Sequence, residues 1–325
     1  MHVRFRQVDW AFTVPFRIAY RTRTHAQTVL VELEEHGHIG RGEALGVSYH
    51  GESVETMLEQ LAAVENKLRQ GIKRTDLSTW LPAGGARNAV DCALWDLEAK
   101  RAGRRAWELA GFDRVHSVLT NYTLGVDTPK AMGRSAAALG GYSLLNLKLA
   151  GEGDVDRVTQ VRQARPDADI IVDCNQGWNE QQLHEFTPQL AALGVKLIEQ
   201  PLPKDEDAAL ADFTSPIPLC ADESFQSTSS LPAVLGKYQY VNIKLDKTGG
   251  LTEALEAARA VRATGLKLKV GSMGGSSLSM APGFIVGQLC DYADLDSPLL
   301  LVSDVPDGVR YERGHLLAPS AQLWG

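Results

Sequence analysis

Five short apolar runs between residues 143 and 246 each end close to a single charged side chain, and their regular repetition indicates the fold. The runs are SLLNLKLA (143–150), ADIIVDCN (168–175), GVKLIEQP (194–201), PIPLCADES (216–224) and YQYVNIKLD (238–246). Their charged residues are Lys148, Asp173, Glu199, Asp222 and Lys244, spaced 25, 26, 23 and 22 residues apart. An interval of this length accommodates one strand and one helix, so the pattern predicts βα units around a parallel sheet.

In a closed barrel of βα units the carboxyl ends of all strands meet at one face, so these five side chains would form one ring. The same pattern continues on both sides of the five runs and predicts an α/β fold, a TIM-like barrel. Its eight strands are expected near residues 118–124, 144–149, 169–173, 195–199, 217–222, 239–244, 266–271 and 293–296.

The N-terminal part of the chain predicts a separate domain. Residues 3–9 and 27–34 alternate as half-buried strands, HGHIGRGE (36–43) indicates a hairpin, and helices are expected at 52–68 and 86–109. A sheet followed by helices is typical of an α+β domain. The expected organisation is an α+β capping domain (1–112), a barrel catalytic domain (113–299) and a C-terminal segment (300–325) that returns to complete the capping domain.

Composition excludes several classes of partner. The net charge is −7 and no basic run occurs, which argues against nucleic acid and anionic membranes. The first ten residues lack the apolar stretch of a signal peptide, and no apolar segment of 18 residues follows. The four cysteines form no CxxC pair. We therefore expect a cytoplasmic protein with reduced thiols and a small-molecule substrate, and a homo-oligomer is compatible with these features.

Asp173, Glu199 and Asp222 lie on three successive strands and offer only oxygen ligands. Such a set suits Mg²⁺, which keeps open positions for water or a substrate oxygen. Strand-end carboxylates can instead cap the following helices, but capping explains one such residue more easily than three in register. The sequence therefore predicts one divalent metal ion per subunit.

Lys148 and Lys244 lie on the strands that flank the three carboxylates. A lysine acts as a base near neutral pH when its pKa is lowered, and a nearby dication lowers it by disfavouring the ammonium form. A metal ion bound to a substrate carboxylate also stabilises the enolate that forms when the α-proton leaves. Two bases on opposite faces of that enolate would invert the carbon. Lysines extending to solvent at the barrel rim are the plainer alternative.

The motifs NLKLA, DCN, IEQPLP, ADES and NIKLDKTGG together resemble the muconate-lactonising branch of the enolase superfamily, and within it the dipeptide epimerases. The resemblance covers nearly the whole chain, including PAGGARNAVDCALWDLEAK in the first domain. It implies a (β/α)7β barrel capped by an α+β domain built from both termini. It also implies that Asp173, Glu199 and Asp222 bind Mg²⁺ and that Lys148 and Lys244 are the acid/base pair.

Two further features are similar to those of dipeptide epimerases. The resemblance implies that the D-x-D of Asp294 and Asp296 holds the α-ammonium of the dipeptide, a role that two carboxylates suit by their charge. It also implies that an arginine on a mobile loop of the first domain pairs with the side-chain carboxylate of a substrate glutamate. Both Arg21 and Arg23 qualify, and the sequence does not choose between them.

The chain departs from the family pattern at Asn146. The family usually carries K-x-K on the second barrel strand, and the first of these lysines is replaced by Asn146 here. Asparagine can still donate a hydrogen bond to the substrate, so Asn146 is counted among the expected substrate-binding residues. The exchange leaves Lys148 with less help in staying neutral.

The expected function is Mg²⁺-dependent epimerisation of dipeptides, with L-Ala-D/L-Glu as substrate and murein-peptide recycling as the role that the resemblance implies. Other reactions of the same branch are the alternative: o-succinylbenzoate synthesis, N-acylamino-acid racemisation or cycloisomerisation. None of their substrates has an ammonium group for the D-x-D. A non-catalytic ligand-binding barrel is a third possibility, but it gives no reason for a complete set of carboxylates and lysines.

Overall fold

The computed structural model describes all 325 residues as two packed domains. The first domain contains a three-stranded antiparallel sheet in the order β1 (His2–Ile18), β2 (Arg21–Glu35) and β3 (His38–Ala44). Its helices are α1 (Val54–Gln70), α2 (Leu77–Trp80), α3 (Gly85–Ala102) and α4 (Ala106–Leu109). Ser53 begins α1 through a reciprocal capping box with Thr56. No helix is long and apolar enough to cross a membrane.

The second domain is built on eight parallel strands. In sheet order they are β5 (Tyr122–Leu124), β6 (Leu144–Lys148), β7 (Asp169–Asp173), β8 (Val195–Glu199), β9 (Leu219–Ala221), β10 (Tyr240–Lys244), β11 (Lys267–Gly271) and β12 (Tyr292–Ala293). A parallel bridge between Thr120 and Ala293 joins the two ends of this sheet. The sheet is thus a closed TIM-like barrel, as the spacing of the five runs predicted.

Helices between these strands cover the outside of the barrel. They are α5 (Pro129–Ala137), α6 (Asp154–Ala164), α7 (Glu180–Ala192), α8 (Leu231–Val234), α9 (Leu245–Thr248), α10 (Leu251–Ala263) and α11 (Ser277–Gly287). Short 3₁₀ turns lie at Ser48–His50, Arg74–Asp76, Asp207–Ala211, Thr228–Ser230 and Ser297–Leu300. The outer faces of the strands and the helices share one large apolar core.

A separate small apolar cluster contains strand residues that are two or four positions before the charged strand ends. Its members are Leu144, Ile171, Leu197, Cys220 and Tyr240, with Tyr292 packed against it. Because strand side chains alternate between the two faces, these residues share the barrel interior with the charged ring. The interior is therefore apolar at the amino ends of the strands and polar at their carboxyl ends.

Several element boundaries differ from the sequence-based expectation. The predicted first barrel strand, 118–124, is split into β4 (Val118–Leu119) and β5, because β4 pairs with the C-terminal strand β14 (His315–Leu316). The predicted helix 86–109 breaks at Gly103, whose φ of 60° ends α3 in a left-handed turn. The last predicted strand, 293–296, is reduced to β12.

The first-domain hairpin is much longer than expected. We predicted strands at 3–9 and 27–34, whereas β1 and β2 extend to the two-residue turn between Ile18 and Arg21, with one interruption of their pairing between Ala11 and Phe16. The segment that the resemblance implied to be a loop is therefore the end of a β-ribbon. Backbone hydrogen bonds from Val302 to Ala11 and from Val126 to Arg17 dock this ribbon on the barrel.

The C-terminal residues extend back to the first domain. After β13 (Tyr311–Glu312) and β14, the backbone N–H of Gly325 donates to Asp96 at 2.6 Å, and the Trp324 indole donates to the carbonyl of Cys92 at 3.1 Å. Asp96 is fully buried and also accepts from the backbone of Arg41. These contacts are consistent with the expected return of 300–325, and the exact domain boundaries remain a prediction.

The packing of α3 on β3 generates a prediction about stability. A methyl group at Gly42 would lie 2.1 Å from the Ala89 carbonyl oxygen, so Gly42→Ala must push α3 away from the sheet. We expect the free energy of unfolding to fall by about 3 kcal/mol in urea titrations. Gly140→Ala, where no heavy atom lies within 4 Å, should change it by less than about 0.5 kcal/mol. Equal effects of the two variants would contradict this account of the contact.

Candidate active site

The carboxyl ends of the barrel strands place the predicted charged residues side by side. Lys148, Asp173, Glu199 and Lys244 are the last residues of β6, β7, β8 and β10, and Asp222 follows β9 directly. Register pairs join Lys148 to Asp173 and Asp173 to Glu199 across neighbouring strands. Because the strands are parallel and in register, the charged residues that are evenly spaced in the sequence lie next to one another in a continuous arc.

Asp173, Glu199 and Asp222 come together as the sequence predicted. Each offers a carboxylate oxygen, these oxygens lie within 4.8 Å of one another, and all three residues are almost completely buried. The backbone N–H of Asn175 donates to Asp173 at 2.9 Å, and the Asn242 amide donates to Glu199 Oε1 at 2.5 Å. Asp173 and the central Glu199 are thus held in position by neighbours in the barrel.

The two predicted lysines pair with the outer carboxylates. Lys148 Nζ lies 2.6 Å from Asp173 Oδ2, and Lys244 Nζ lies 2.6 Å from Asp222 Oδ2. Burial alone would lower the pKa of each lysine, but the surrounding carboxylates outweigh it, so the pKa of Lys148 is raised and that of Lys244 is raised strongly. In this charge balance both lysines carry their protons.

Two buried lysines that the sequence analysis did not single out complete the charge balance. Lys247 donates to Asp222 Oδ1 at 2.6 Å, and Lys269 on β11 contacts Glu199 Oε2. Burial would raise the pKa of Asp222, but Lys244 and Lys247 hold it well below its usual range. Lys269 could have been found as the inward residue of the alternating run KLKVG, two positions before the strand end.

The D-x-D residues lie on the same face, just beyond β12. Asp294 Oδ1 accepts from the Asn121 amide at 2.9 Å, and Asp294 Oδ2 accepts from the Asn146 amide at 3.0 Å. Asp296 accepts the backbone N–H of Thr123 at 2.5 Å. Both carboxylates are buried and line the cavity above the metal-ligand candidates. Asn146 itself is fully buried and does not line the cavity, so its contact with substrate remains a prediction.

The first domain closes the other side of the cavity. The end of the β1–β2 ribbon contributes Arg21 and Arg23, and the turn after β3 contributes Ser48 and Tyr49. Arg23 is half-buried and donates to Ser48 Oγ at 3.2 Å, whereas Arg21 is exposed. Burial lowers the pKa of Arg23 to about 10. The cavity and its open mouth together enclose about 870 Å³ of empty space.

The donor set fits a hard divalent cation. Buried groups around the cavity floor are the carboxylates Asp173, Glu199, Asp222, Glu223, Asp294 and Asp296 and the lysines Lys148, Lys244, Lys247 and Lys269. Counted as fully ionised they leave a formal charge of −2. Burial beside other carboxylates raises the pKa of Glu223 and Asp296, so a dication would favour the ionised forms of these two groups. Asn175 Oδ1 and Glu223 Oε2 are buried beside the three ligands without a hydrogen-bond partner. Oxygen donors with an uncompensated negative charge are what Mg²⁺ requires. The residues present therefore fit the metal ion that the sequence predicted.

Comparison with known families agrees with this geometry. Residues 1–111 match the mandelate racemase / muconate lactonizing enzyme N-terminal domain, and residues 130–322 match the enolase C-terminal domain-like family. The chain belongs to the mandelate racemase / muconate lactonizing enzyme group of the enolase superfamily. The resemblance inferred from the strand-end motifs is confirmed.

Two curated relatives align over almost the whole chain. L-Ala-D/L-Glu epimerase from Escherichia coli is 42% identical over 316 residues, which cover 97% of this chain and 98% of the relative. N-acetyl-D-glutamate racemase from Pseudoalteromonas sp. is 40% identical and covers 91% of this chain and 95% of the relative. The first acts on a dipeptide by name, and the second acts on an N-acylated amino acid.

Solved structures share the full architecture. An enolase-family member from Agrobacterium tumefaciens with homology to dipeptide epimerases, bound to sodium and L-Ala-L-Glu, superposes with a TM-score of 0.97 at 40% identity and covers 99% of both chains. A dipeptide epimerase from Cytophaga hutchinsonii, complexed with Mg and D-Ala-L-Val, has a TM-score of 0.91 at 26% identity and covers 98% and 92%.

The metal site generates a prediction about Mg²⁺ affinity. Asp222→Asn removes one anionic ligand, so we expect Mg²⁺ binding measured by calorimetry to weaken roughly tenfold or more. Asp205→Asn changes an exposed carboxylate on the loop after β8 and should leave the affinity unchanged. Identical Mg²⁺ affinities for the Asp222 variant and the unaltered protein would contradict the assignment of this ligand.

Proposed function

We propose that this protein is a Mg²⁺-dependent dipeptide epimerase that acts on L-Ala-D/L-Glu by two-base 1,1-proton transfer. The observation that carries the proposal is the arrangement of Lys148 and Lys244, each 2.6 Å from an outer carboxylate of the same metal-binding triad. An acidic pair and two arginines line the cavity above them. The chain thus combines groups for enolate formation with groups that recognise both charged ends of the dipeptide.

The proton transfer needs one lysine neutral and the other charged. The base takes the α-proton of the glutamate residue, and the opposite ammonium returns a proton to the other face of the same carbon. When bound, Mg²⁺ supplies the positive charge that stabilises the enolate and offsets the carboxylates that raise both lysine pKa values. The reverse reaction exchanges the roles of Lys148 and Lys244, as a 1,1-proton transfer requires.

Recognition of the dipeptide would use opposite sides of the cavity. Asp294 and Asp296 offer negative charge to the α-ammonium group of the first residue. Arg23 faces the cavity from the capping domain and donates only to the Ser48 hydroxyl, so its guanidinium has no carboxylate partner within the protein. We assign the side-chain carboxylate of the substrate glutamate to Arg23, with the exposed Arg21 at the entrance.

The second candidate is racemisation of N-acylamino acids, a reaction that the same metal ligands and lysines could perform. The similarity to N-acetyl-D-glutamate racemase favours it, since both candidate substrates end in glutamate. The acidic pair favours the dipeptide because an N-acyl group brings no positive charge to Asp294 and Asp296. A cytoplasmic role in murein-peptide recycling belongs to the same proposal, because L-Ala-D/L-Glu arises from murein peptides as the family resemblance implies.

Incorporation of deuterium tests the proposal. The protein is incubated in D₂O and Mg²⁺ with L-Ala-L-Glu, other L-Ala dipeptides and N-acetylglutamate, and α-deuterium is measured by mass spectrometry. We expect the fastest exchange, with inversion, for L-Ala-L-Glu. Faster exchange of N-acetylglutamate would instead support the second candidate. Full activity in excess chelator would contradict the metal-dependent mechanism for both.

Replacing either lysine separates the two half-reactions. Lys148→Ala and Lys244→Ala should each lower the rate of epimerisation by roughly 10²–10⁴-fold, because one face of the enolate loses its acid/base group. The remaining lysine should still exchange the α-proton of the epimer that it faces, without inversion, as measured by NMR in D₂O. Lys204→Ala alters an exposed lysine and serves as the control. Unchanged epimerisation in either active-site variant would refute the two-base assignment.

Arg23 should determine the preference for an acidic side chain. Arg23→Met removes the guanidinium, so kcat/KM for L-Ala-L-Glu should fall roughly 100-fold because the buried carboxylate loses its charged partner. L-Ala-L-Met, whose side chain is apolar, should lose much less. Arg21→Met provides the matched comparison and should have a smaller effect on both substrates. Equal losses for the two dipeptides in Arg23→Met would exclude this role.

A further inference from the structure

Lys269 is a buried cation that the proposed reaction leaves without a role. It lies on β11 inside the barrel, is 0% exposed and does not line the cavity. Its Nζ contacts Glu199 Oε2 and lies 3.6 Å from Asp294 Oδ2. A fully buried ammonium group is unfavourable unless its partners compensate its charge. Its position between these two carboxylates is therefore the feature to explain.

The two partners of Lys269 belong to different parts of the site. Glu199 is the central metal-ligand candidate, and its other oxygen accepts from the Asn242 amide. Asp294 belongs to the acidic pair, and its other oxygen accepts from the Asn121 amide. Lys148 also lies 3.9 Å from Asp294, but it opens onto the cavity and must give up its proton in the proposed reaction. Lys269 is the cation beside Asp294 that the reaction does not use.

We propose that Lys269 is a positioning residue that sets how strongly the acidic pair attracts the amino group of the substrate. Its ammonium compensates part of the charge of Asp294 and links that carboxylate to Glu199. The strength of attraction for a cationic substrate group is then adjusted from within the barrel, without contact between Lys269 and the substrate. This proposal rests on the proposed function, because it assumes that Asp294 and Asp296 face the amino group of a dipeptide.

Asn146 offers a second position at which the charge around Asp294 can be changed. Its amide donates to Asp294 Oδ2 at 3.0 Å, the oxygen that Lys269 approaches from β11. Asn146 Oδ1 is buried without a hydrogen-bond partner, so the residue makes no other polar contact that a substitution would break. A lysine at this position would place a second cation beside Asp294. Removing the cation at position 269 on β11 and adding one at position 146 on β6 therefore change the charge beside Asp294 in opposite directions.

The experiment measures how much the amino group of the substrate contributes to binding affinity, without relying on catalysis. The probes are L-alanyl-α-methylglutamate and N-propionyl-α-methylglutamate, which differ only in the alanyl amino group and carry a methyl group in place of the exchangeable α-proton of glutamate. Calorimetry in Mg²⁺ gives the dissociation constant of each. The ratio of the N-propionyl constant to the alanyl constant is the amino-group preference. Thermal unfolding of every variant separates this preference from stability.

The proposal predicts changes of opposite sign. Lys269→Met should raise the amino-group preference roughly tenfold or more, because Asp294 loses its compensating cation. Asn146→Lys should lower it by a similar factor. The double variant should return close to the unaltered protein. Lys267→Met, which alters an exposed lysine on the same strand, should have no effect. A purely structural role for Lys269 would lower the unfolding temperature without moving the preference.

An unchanged or reduced preference in folded Lys269→Met would overturn the proposal. If that variant does not fold, Asn146→Lys decides, and an unchanged preference in it has the same consequence. Failure of the proposed function gives a different result: the unaltered protein would then fail to exchange the α-proton of L-Ala-L-Glu and would not prefer the alanyl probe. If the unaltered protein exchanges the α-proton normally but neither variant changes the amino-group preference, only the role of Lys269 is refuted.

Discussion

The carboxyl ends of the barrel strands bury a dense group of charges, and the need to compensate them determines how the active site is built. Asp173, Glu199 and Asp222 lie within 4.8 Å of one another in a region that excludes most water. Like charges at that distance repel strongly in a medium of low polarity. Every one of them therefore contacts at least one lysine. Three further buried carboxylates, Glu223, Asp294 and Asp296, add the negative charge that favours binding of a dication. Structure and metal chemistry follow from the same balance.

The capping domain converts this charged floor into an enclosed site. Asp246, which follows the strand of Lys244, accepts the backbone N–H groups of Leu45 and Gly46 at 3.1 and 2.8 Å. Glu52 accepts the backbone N–H of Val47 at 2.7 Å and so holds the turn that contains Tyr49. The two domains are thus joined at the edge of the cavity. Side chains that recognise a substrate can be carried by one domain while the other supplies the reactive groups.

Selectivity and reactivity are also connected inside the barrel. Asp294 shares its surroundings with Lys148, Lys269 and Asn146, so any change in the charge of this carboxylate alters the field around a proposed base. A relative that takes an N-acylated amino acid and one that takes a dipeptide both align with this chain at 40% identity or more. The role proposed for Lys269 would allow substrate preference to change through the charge around Asp294 while the metal ligands stay the same.

The barrel, the triad and the two flanking lysines could be predicted from the sequence, because strand periodicity and even spacing bring successive strand ends to one face. The sequence did not predict that the β1–β2 ribbon continues to the turn between Ile18 and Arg21, where backbone hydrogen bonds join Ala11 and Arg17 to the distant residues Val302 and Val126. Alternation along β11 is enough to place Lys269 inside the barrel, but its contact with Glu199 and its 3.6 Å distance to Asp294, 25 residues further along the chain, arise only in the folded protein. Local periodicity is encoded in the chain, whereas the compensation of buried charge arises only when distant strands meet.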